Sequence, residues 1–351
     1  MPSAYFCSEM ALSSWGSFRI QVSVRQNLIE NRKLISTLTE DEHSDKLFKQ
    51  AIEDTACGRM EHPVQLHDDS KFLASVRIAR RFFVEQGVKP DGSLKVRAVD
   101  DESRNGVNSV TAATEKLSSQ GIDLLFDVAK RVQKASNEAP VFWKADVDSA
   151  YRRVPICPRD RWAAHVAFLF QGVPYIARHN ALMFGSVSAV HGWNRIGQLL
   201  AFLALHELSI PALRYVDDFF CAERSETANH AVSCFVQLVR VLLGHSAIAD
   251  HKTCVGNPLE ILGLDIFANL HGMRCMPREE KLFKWRSVIE HALSQNQLMP
   301  GIASKLAGAL SWATQAMFRR IGRAMLRPLF RHKSRYGTIS WQLRLCLRWW
   351  L

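Results

Sequence analysis

Two adjacent aspartates, Asp217 and Asp218, give the strongest chemical signal in this sequence. They follow Tyr215 and Val216, with an Ala-Leu pair upstream and Phe-Phe downstream, and the pattern predicts two short strands about a tight turn. Neighbouring carboxylates repel unless a cation neutralises them, and hard divalent cations choose carboxylate oxygens. The simpler interpretation is an acidic hairpin turn, because Asp suits turns. The tetrapeptide alone favours that simpler interpretation.

A second acidic segment changes this balance. Asp146 and Asp148 follow the apolar run Val-Phe-Trp, which has a strand pattern. If the strand continues, residues i and i+2 share a face, and Asp146 can converge with Asp217 and Asp218 from a neighbouring strand. Three carboxylates at adjacent strand ends make a site for two metal ions about 3.5–4 Å apart, as in polymerases and nucleases. One ion would activate an attacking hydroxyl group and the other would stabilise a leaving pyrophosphate.

Three motifs in order along the chain resemble the palm of reverse transcriptases, most closely those of the retrotransposon and retroviral branch. The motifs are DVDSAY from Asp146, FGSVSA from Phe184 and YVDD from Tyr215, and weaker similarity extends over roughly residues 70–330. The resemblance implies a right-hand polymerase with fingers, palm and thumb, the palm being an antiparallel sheet backed by helices. It also implies an RNA-directed DNA polymerase of a retroelement, which adds dNTP to a primer on an RNA or DNA template with two Mg²⁺ or Mn²⁺ ions.

The resemblance assigns roles to individual residues of these motifs. Asp146, Asp217 and Asp218 match the catalytic metal ligands. Tyr151, five residues after Asp146, matches the aromatic steric gate, whose ring occupies the space of a ribose 2′-hydroxyl and so favours deoxynucleotides. The alternative for Tyr151 is a core aromatic residue after a strand, and its spacing from Asp146 favours the gate.

Phe184 and Gly185 resemble the segment that contacts the template and the incoming nucleotide, where a glycine permits close backbone approach. The family usually has proline at the position of Met183 and often at that of Val190, and many relatives have Asp at that of Ser149. These departures spare the metal ligands. They motivate a second hypothesis, a catalytically inactive nucleic-acid-binding remnant of a reverse transcriptase.

A third hypothesis, a two-metal nuclease or another phosphotransferase, shares the carboxylates but does not explain the other motifs.

Basic residues outside the motifs also match the family. Arg97, with Lys95 as a weaker candidate, resembles the fingers arginine that grips the triphosphate, and Lys252 resembles the lysine that protonates the leaving pyrophosphate. The alternatives, a basic residue on an exposed strand edge and a surface lysine, stay open. Leu262-Gly263 resembles the primer grip.

The basic charge is concentrated near the end of the sequence. The formal net charge is +11, and residues 301–351 hold ten Lys or Arg and no Asp or Glu. Apolar spacing predicts a helix over 305–326, on which Arg319, Arg323 and Arg327 share one face until Pro328 ends or kinks it. A basic stripe suits a thumb that contacts nucleic-acid phosphates. The alternative is a solvated basic face.

Irregular alternation of strands and helices predicts an α+β fold. We expect helices over 67–90, 112–135, 186–208 and 226–245, and a helical, basic region from Pro277 onward. We expect strands at LKVRAVDD, VFWKADVDSAY, on both sides of Gln171-Gly172, on both sides of the YVDD turn, at LEILGLDIFA and after His271-Gly272. The expected domains are an N-terminal segment of unknown role (1–66), fingers (67–140), palm (141–276, with a fingers insertion near 152–185), thumb (277–335) and the start of a truncated connection (336–351).

Composition excludes several other protein classes. Apolar residues make up 47% and charged residues 23% of the 351 residues, which is unlike a disordered tail, a collagen or a coiled-coil rod. The eight cysteines form no CxxC and no zinc-finger spacing, so we expect neither a disulfide framework nor structural zinc. The N-terminus lacks the pattern of a signal peptide, and we expect a soluble intracellular protein of the cytoplasm or nucleus, with no membrane partner.

Overall fold

The computed structural model describes residues 24–40, 42–88, 92–112, 115–334 and 336–351, without the side chains of Val24, Gln86, Val88, Phe318 and Arg319. The α-helices are α1 Val24–Ser36, α2 Ser44–Ala56, α3 Ser70–Ser75, α4 Val107–Val110, α5 Ile122–Ser136, α6 Val187–Leu208, α7 Ala228–Leu243, α8 Glu279–Gln295, α9 Pro300–Ala313, α10 Arg327–Phe330 and α11 Trp341–Trp350. The strands are β1 Val64–Gln65, β2 Ile78–Val88, β3 Leu94–Asp100, β4 Val141–Asp146, β5 His165–Phe170, β6 Val173–Arg178, β7 Leu213–Tyr215, β8 Asp218–Glu223, β9 Cys254–Gly256, β10 Leu259–Ile261, β11 Leu264–Asn269 and β12 Gly272–Pro277. Short 3₁₀ helices are Ala150–Arg153, Pro158–Ala163, His245–Ala247, Asp250–Lys252, Thr314–Ala316 and Phe318–Leu326.

The described chain divides into two compact units. The first unit comprises the described parts of Met1–Leu117 together with Ser149–Ile196, and the second comprises Ser118–Asp148 together with Gly197–Leu351. Each unit has its own sheets and its own buried apolar clusters.

A five-stranded sheet in the order β1-β6-β5-β2-β3 forms the centre of the first unit. Strand β2 runs parallel to β5, and the other pairings are antiparallel. Both faces are covered: Leu34 of α1 packs with Ile78 on one side, and Leu47 of α2 packs with Ala79 on the other. The β5–β6 hairpin turns at Gln171 and Gly172, both with positive φ, as a two-residue hairpin requires.

The second unit contains a four-stranded antiparallel sheet in the order β7-β8-β4-β9. Because successive strand residues point to opposite faces, adjacent aromatic residues pack in different layers. Phe142 of β4 and Phe220 of β8 face α5, where Leu125 is fully buried. Trp143 and Phe219 instead contact Phe235 of α7. The sheet therefore packs between two helices.

The rest of the second unit consists of a three-stranded antiparallel sheet, β10-β11-β12, and the C-terminal helices. Ile266 and Ala268 of β11 belong to the same buried cluster as Phe142 and Leu125. Helices α8, α9 and α11 surround a separate cluster, which includes Ile289, Leu306 and Leu343.

The predicted α+β class with antiparallel sheets is confirmed. So are the strand at LKVRAVDD, the Gln171-Gly172 hairpin, the helices near 186–208 and 226–245, the two strands around YVDD and the strand after His271-Gly272. The helix expected over 112–135 is shorter, because it begins at Ile122.

The helix predicted over 67–90 is wrong. Helix α3 ends at Ser75, and strand β2 occupies Ile78–Val88. Both faces of this strand are buried where it begins, since Ile78 and Ala79 have no exposed surface. A strand covered on both faces loses the alternation of apolar and polar residues, so its apolar spacing resembles that of a helix.

Three further predictions of elements need correction. Strand β4 ends at Asp146 and does not continue to Asp148. The single strand predicted at LEILGLDIFA is two strands, because Leu262 and Gly263 have positive φ and form a turn between β10 and β11. The single helix predicted over 305–326 ends at Ala313, because Met317 has an extended backbone and Arg320 has a φ of +54°.

In the described part of the chain, no helix is both long enough and apolar enough to cross a membrane.

Candidate active site

The candidate carboxylates of the second unit come together through strand pairing. Asp146 is the last residue of β4, Asp218 is the first residue of β8, and the two are register partners in the antiparallel ladder. Side chains of directly opposed residues lie on the same face of a sheet. Asp217 immediately precedes Asp218 in the turn from β7, so all three aspartates meet at one end of the sheet.

Tyr215 and Asp218 close this turn as register partners, with Val216 and Asp217 between them. Val216 has a φ of +56°, which is unfavourable for a β-branched residue. The amide of Val147 donates to the Asp217 carbonyl oxygen over 3.1 Å and so ties the turn to the end of β4. The surrounding contacts thus impose a conformation that the local sequence disfavours.

Arg214 supports the turn from inside the unit. Its side chain is buried and donates to the carbonyl oxygens of Val216, over 3.2 Å, and Ser118, over 2.7 Å. Gly197 of α6 makes room for it, since a Cβ at that position would lie 2.6 Å from Arg214 Cδ. Burial lowers the pKa of this guanidinium from its ordinary value, but its protons are held by backbone acceptors.

The electrostatics of the cluster favour a bound cation. Burial, together with the negative charges of Asp217 and Asp146, raises the pKa of the Asp218 carboxyl to about 6. Lys252 and Lys144 act in the opposite direction. Lys252 Nζ donates to Asp146 Oδ2 over 2.8 Å, so this predicted catalytic lysine directly contacts a predicted metal ligand.

The donor set of Asp146, Asp217 and Asp218 fits Mg²⁺ or Mn²⁺, because hard cations prefer carboxylate oxygens and would neutralise this repulsion. Among the described residues, the group of three possible ligands whose donor atoms all lie within 4.8 Å of one another is Glu42, His43 and Glu85 in the first unit. Glu42 and Glu85 are exposed carboxylates, and their contacts with His43 suit a surface ion pair. Register pairing, and not tight ligand spacing, therefore supports the aspartate site.

The first unit contains the residues expected to contact the nucleotide. Tyr151 lies in the 3₁₀ helix Ala150–Arg153, and its ring meets the edge of Phe184 with 5.3 Å between centroids. Gly185 has a φ of +101°, and a Cβ there would lie 2.2 Å from the Asp100 carbonyl oxygen. Glycine is therefore required at 185, which fixes the position of Phe184.

Comparison with known proteins shows which solved structures have a similar fold. No protein-family model matches the chain, and no curated protein matches it. The solved structure of a foamy viral protease-reverse transcriptase dRH in complex with double-stranded DNA is similar, with a TM-score of 0.59, 15% identity, and coverage of 90% of this chain and 50% of that chain. A second structure, the foamy viral protease-reverse transcriptase in complex with double-stranded DNA, has a TM-score of 0.55, 14% identity, and coverage of 90% and 60%.

The fold is reverse-transcriptase-like. The predicted resemblance is thus confirmed at the level of the fold. This chain spans about half to three fifths of the length of the two similar structures.

Other predicted site residues of this reverse-transcriptase-like fold lie on exposed surfaces. Lys95 and Arg97 are exposed on β3, an edge strand of the first unit, two residues apart and therefore on one face. Both earlier interpretations, a triphosphate contact and a basic strand edge, fit this position.

The basic stripe of the C-terminal region differs from its prediction. Arg323 lies in the 3₁₀ helix Phe318–Leu326, while Arg327 begins α10. The Arg319 side chain lies outside the described part of the structure. Residues four apart do not align on a 3₁₀ helix of three residues per turn, so Arg323 and Arg327 do not share one α-helical face. Pro328 lies in the first turn of α10, so it starts a helix there.

Sequence reasoning missed three residues that shape the two groups of candidates. Arg214 holds the Val216 carbonyl, Lys144 lies two residues before Asp146 on the same strand, and Asn108 holds the segment after Phe184. The position of Lys144, at i−2 from Asp146, could have revealed it. Arg214 also binds the Ser118 carbonyl 96 residues away, and Asn108 binds the Gly185 carbonyl 77 residues away. No local pattern indicates such distant contacts.

Proposed function

We propose that this chain is an RNA-directed DNA polymerase of a retroelement. The reaction is attack of a primer 3′-hydroxyl on the α-phosphorus of a dNTP, which forms a phosphodiester bond and releases pyrophosphate. The observation that carries this proposal is the register pairing of Asp146 with Asp218, beside Asp217 in a strained turn. The reverse-transcriptase-like fold of the chain supports the proposal independently.

In this proposal Asp146, Asp217 and Asp218 hold two Mg²⁺ or Mn²⁺ ions, which lower the pKa of the attacking hydroxyl and neutralise charge on the leaving group. Lys252 protonates the pyrophosphate, and its contact with Asp146 supports a position beside the reacting atoms. Tyr151 excludes ribonucleotides, Phe184 and Gly185 contact the template and nucleotide, and Arg97 and Lys95 bind the triphosphate. Arg319, Arg323 and Arg327 bind the phosphates of a template–primer duplex.

The domain assignment follows from the same resemblance. Residues 67–140 and the insertion near 152–185 contribute the fingers, and 141–276 the palm. Residues 277–335 form a basic thumb-like region, which residues 336–351 follow. The N-terminal segment, 1–66, has no assigned role.

Primer extension tests the proposal. A labelled DNA primer annealed to RNA or to DNA is incubated with dNTP and Mg²⁺ or Mn²⁺. The wild type extends the primer, and Asp146→Asn does not, while both bind the duplex. Asp127→Asn makes the same chemical change at an exposed position of α5 and leaves extension intact. Extension by Asp146→Asn at the wild-type rate would overturn the proposal.

An inactive nucleic-acid-binding remnant is the alternative, motivated by Met183 and Val190. Met183 is buried and packs with Ile156 and Ala164, so the departure from the family pattern is accommodated in a small apolar cluster. This alternative predicts salt-sensitive duplex binding with no incorporation at any Mg²⁺ or Mn²⁺ concentration. A two-metal nuclease would instead degrade the labelled strands when dNTP is omitted.

A further inference from the structure

A buried network of charged and polar side chains lies in the first unit. Its members come from separate elements: Asp54 from α2, Arg81 from β2, Asp100 from β3, Arg152 from the 3₁₀ helix that also contains Tyr151, and His179 directly after β6. Side-chain exposure is 10% or less for every member. Buried charges are costly unless paired, so these contacts restrict the geometry of all five elements.

His179 is the bridge of this network. Arg152 Nη1 donates to His179 Nδ1 over 2.6 Å, because a guanidinium can only donate. His179 Nε2 lies 3.0 Å from Asp100 Oδ2 and, with Nδ1 accepting, carries the ring proton that this carboxylate accepts. Burial lowers the pKa of His179 to about 4, against the opposing effect of Asp100, so the ring is neutral at pH 7.

Each end of the bridge reaches the residue that follows one member of the Tyr151–Phe184 pair. At one end, Arg152 follows Tyr151 within a single 3₁₀ helix of four residues. At the other end, the Asp100 carbonyl oxygen packs against Gly185, the residue after Phe184. Salt bridges from Arg152 to Asp54, at 3.1 Å, and from Arg81 to Asp54, at 3.3 Å, hold the same network to α2.

Asn108 provides a second support for the same pair. Its side-chain amide donates to the Gly185 carbonyl oxygen over 2.7 Å and accepts from the Val187 amide over 2.9 Å. Its backbone amide bonds to Glu102, whose own amide bonds to Asp100. The segment after Phe184 is therefore tied to Asp100 through two independent sets of contacts.

We infer that His179, Arg152, Asp100 and Asn108 are positioning residues that fix the Tyr151–Phe184 pair and thereby determine how strictly deoxynucleotides are selected over ribonucleotides. The inference rests on the proposed polymerase function. Steric exclusion of one hydroxyl group depends on the ring being held within about 0.5 Å. The network supplies that constraint by holding the residue after each ring, through His179 and through the salt bridges of Arg81 and Arg152 with Asp54. Without it, Tyr151 is partly exposed and Phe184 is exposed.

The positional claim can be tested without catalysis. The protein is labelled with fluorotyrosine, and Tyr151→Phe identifies the Tyr151 resonance among the five tyrosines. His179→Leu and Asn108→Ala shift or broaden this fluorine NMR resonance. His165→Leu is the matched control, because His165 is also a buried histidine of the first unit and contacts Phe72 and the Trp162 carbonyl oxygen instead. That control leaves the Tyr151 resonance unchanged.

The specificity claim is tested by single-nucleotide incorporation with dNTP and with the matching rNTP. His179→Leu and Asn108→Ala lower the ratio of kcat/KM values for dNTP over rNTP by about tenfold, because small misplacements of a substrate-contacting group have effects of this size. Most of the change lies in KM for the nucleotide. His179→Gln, whose amide can accept from Arg152 and donate to Asp100, recovers most of the ratio, and His165→Leu retains it.

The outcomes separate this inference from the proposed function. An unchanged Tyr151 resonance and an unchanged ratio in Asn108→Ala and in folded His179→Leu would overturn the inference, as would equal effects of His179→Leu and His165→Leu. If His179→Leu does not fold, the Tyr151 resonance and the nucleotide ratio of Asn108→Ala and His179→Gln decide whether the inference stands. If the wild type incorporates nothing, the proposed function fails, and the NMR result still decides whether the network positions Tyr151.

Discussion

At the scale of single residues, the motif aspartates were predictable and their supports were not. The order of the DVDSAY and YVDD motifs, and their resemblance to reverse transcriptases, single out Asp146, Asp217 and Asp218, and strand pairing brings them to one end of a sheet. Arg214 and Asn108 act on backbone carbonyls 96 and 77 residues away along the chain. A single sequence contains no local pattern for such contacts. His179 lies just beyond a strand end, and its side-chain partners Arg81, Asp100 and Arg152 likewise lie on three other elements.

Glu102 gives a residue-scale prediction about pH and stability. Burial, followed by the charge of Asp100, raises the pKa of the Glu102 carboxyl from 4.5 to about 8, and the charge of Asp101 acts in the same direction. The hydrogen bond that Asn105 donates to this carboxyl lowers the pKa. Because the folded pKa exceeds the unfolded one, the stabilising effect is complete below about pH 4.5 and is lost as pH rises toward 8. Glu102→Gln removes this loss of stability at high pH, because glutamine has no proton to release.

We therefore expect Glu102→Gln to unfold at a higher temperature than the wild type at pH 8, with a free-energy gain on the order of a few kcal/mol that shrinks as pH falls. Thermal unfolding followed by circular dichroism at several pH values measures this. Glu53→Gln, at an exposed position of α2, is the matched control and shows no such trend. Equal melting temperatures for Glu102→Gln and wild type from pH 5 to 8 would contradict the prediction.

At the scale of elements, sequence patterns succeed where a turn motif or terminal acidic residues mark the end of an element, and fail where no such signal is present. The β5–β6 hairpin was predictable from a two-residue turn, and β4 and β8 from apolar runs that end in acids. Strand β2 was mistaken for a helix because it packs between α1 and α2 layers and has no alternation. The end of α9 was missed because Met317 and Arg320 have backbone conformations with no sequence signature.

The turn between β7 and β8 gives the element-scale prediction. Arg214→Met keeps an unbranched side chain in place of the arginine stem but removes both hydrogen bonds to backbone carbonyls, so the strained Val216 turn loses an internal support. We expect kcat for nucleotide addition to fall by about 10- to 100-fold, with duplex affinity unchanged. Single-turnover incorporation and a binding titration measure the two effects.

Arg131→Met is the control for this variant, since Arg131 is exposed on α5 in the same unit. It keeps the wild-type rate. A wild-type rate in a folded Arg214→Met variant would show that Arg214 does not position the turn.

At the scale of the whole molecule, the concentration of basic residues toward the C-terminus was evident from the sequence, but its arrangement was not. Residues 301–351 carry ten basic and no acidic residues. Those that the structure describes lie mainly on helices and 3₁₀ segments, and these elements pack on a common apolar cluster. The charge therefore extends over a surface of several elements, where the sequence suggested one stripe along one helix.

Two exposed members of this surface give a prediction about duplex binding. Arg323→Ala combined with Arg327→Ala weakens binding of a template–primer duplex irrespective of its sequence. If each arginine contacts one phosphate, the slope of log affinity against log salt becomes less steep by about 2. Fluorescence anisotropy at several salt concentrations measures the slope. The double variant Lys130→Ala, Arg131→Ala on α5 is the control, and an equal loss in both would show that the effect is one of net charge.

The central claim is that the paired aspartates catalyse metal-dependent nucleotide addition. Its most direct test is single-turnover incorporation of one dNTP on an RNA template with saturating Mg²⁺, comparing wild type, Asp217→Asn and Asp127→Asn. Metal ions contribute several kcal/mol to such reactions, so Asp217→Asn should be slower by at least about 10³-fold, with Asp127→Asn unaffected. Incorporation by Asp217→Asn at the wild-type rate, or incorporation by the wild type that persists after Mg²⁺ is removed by chelation, would contradict the claim.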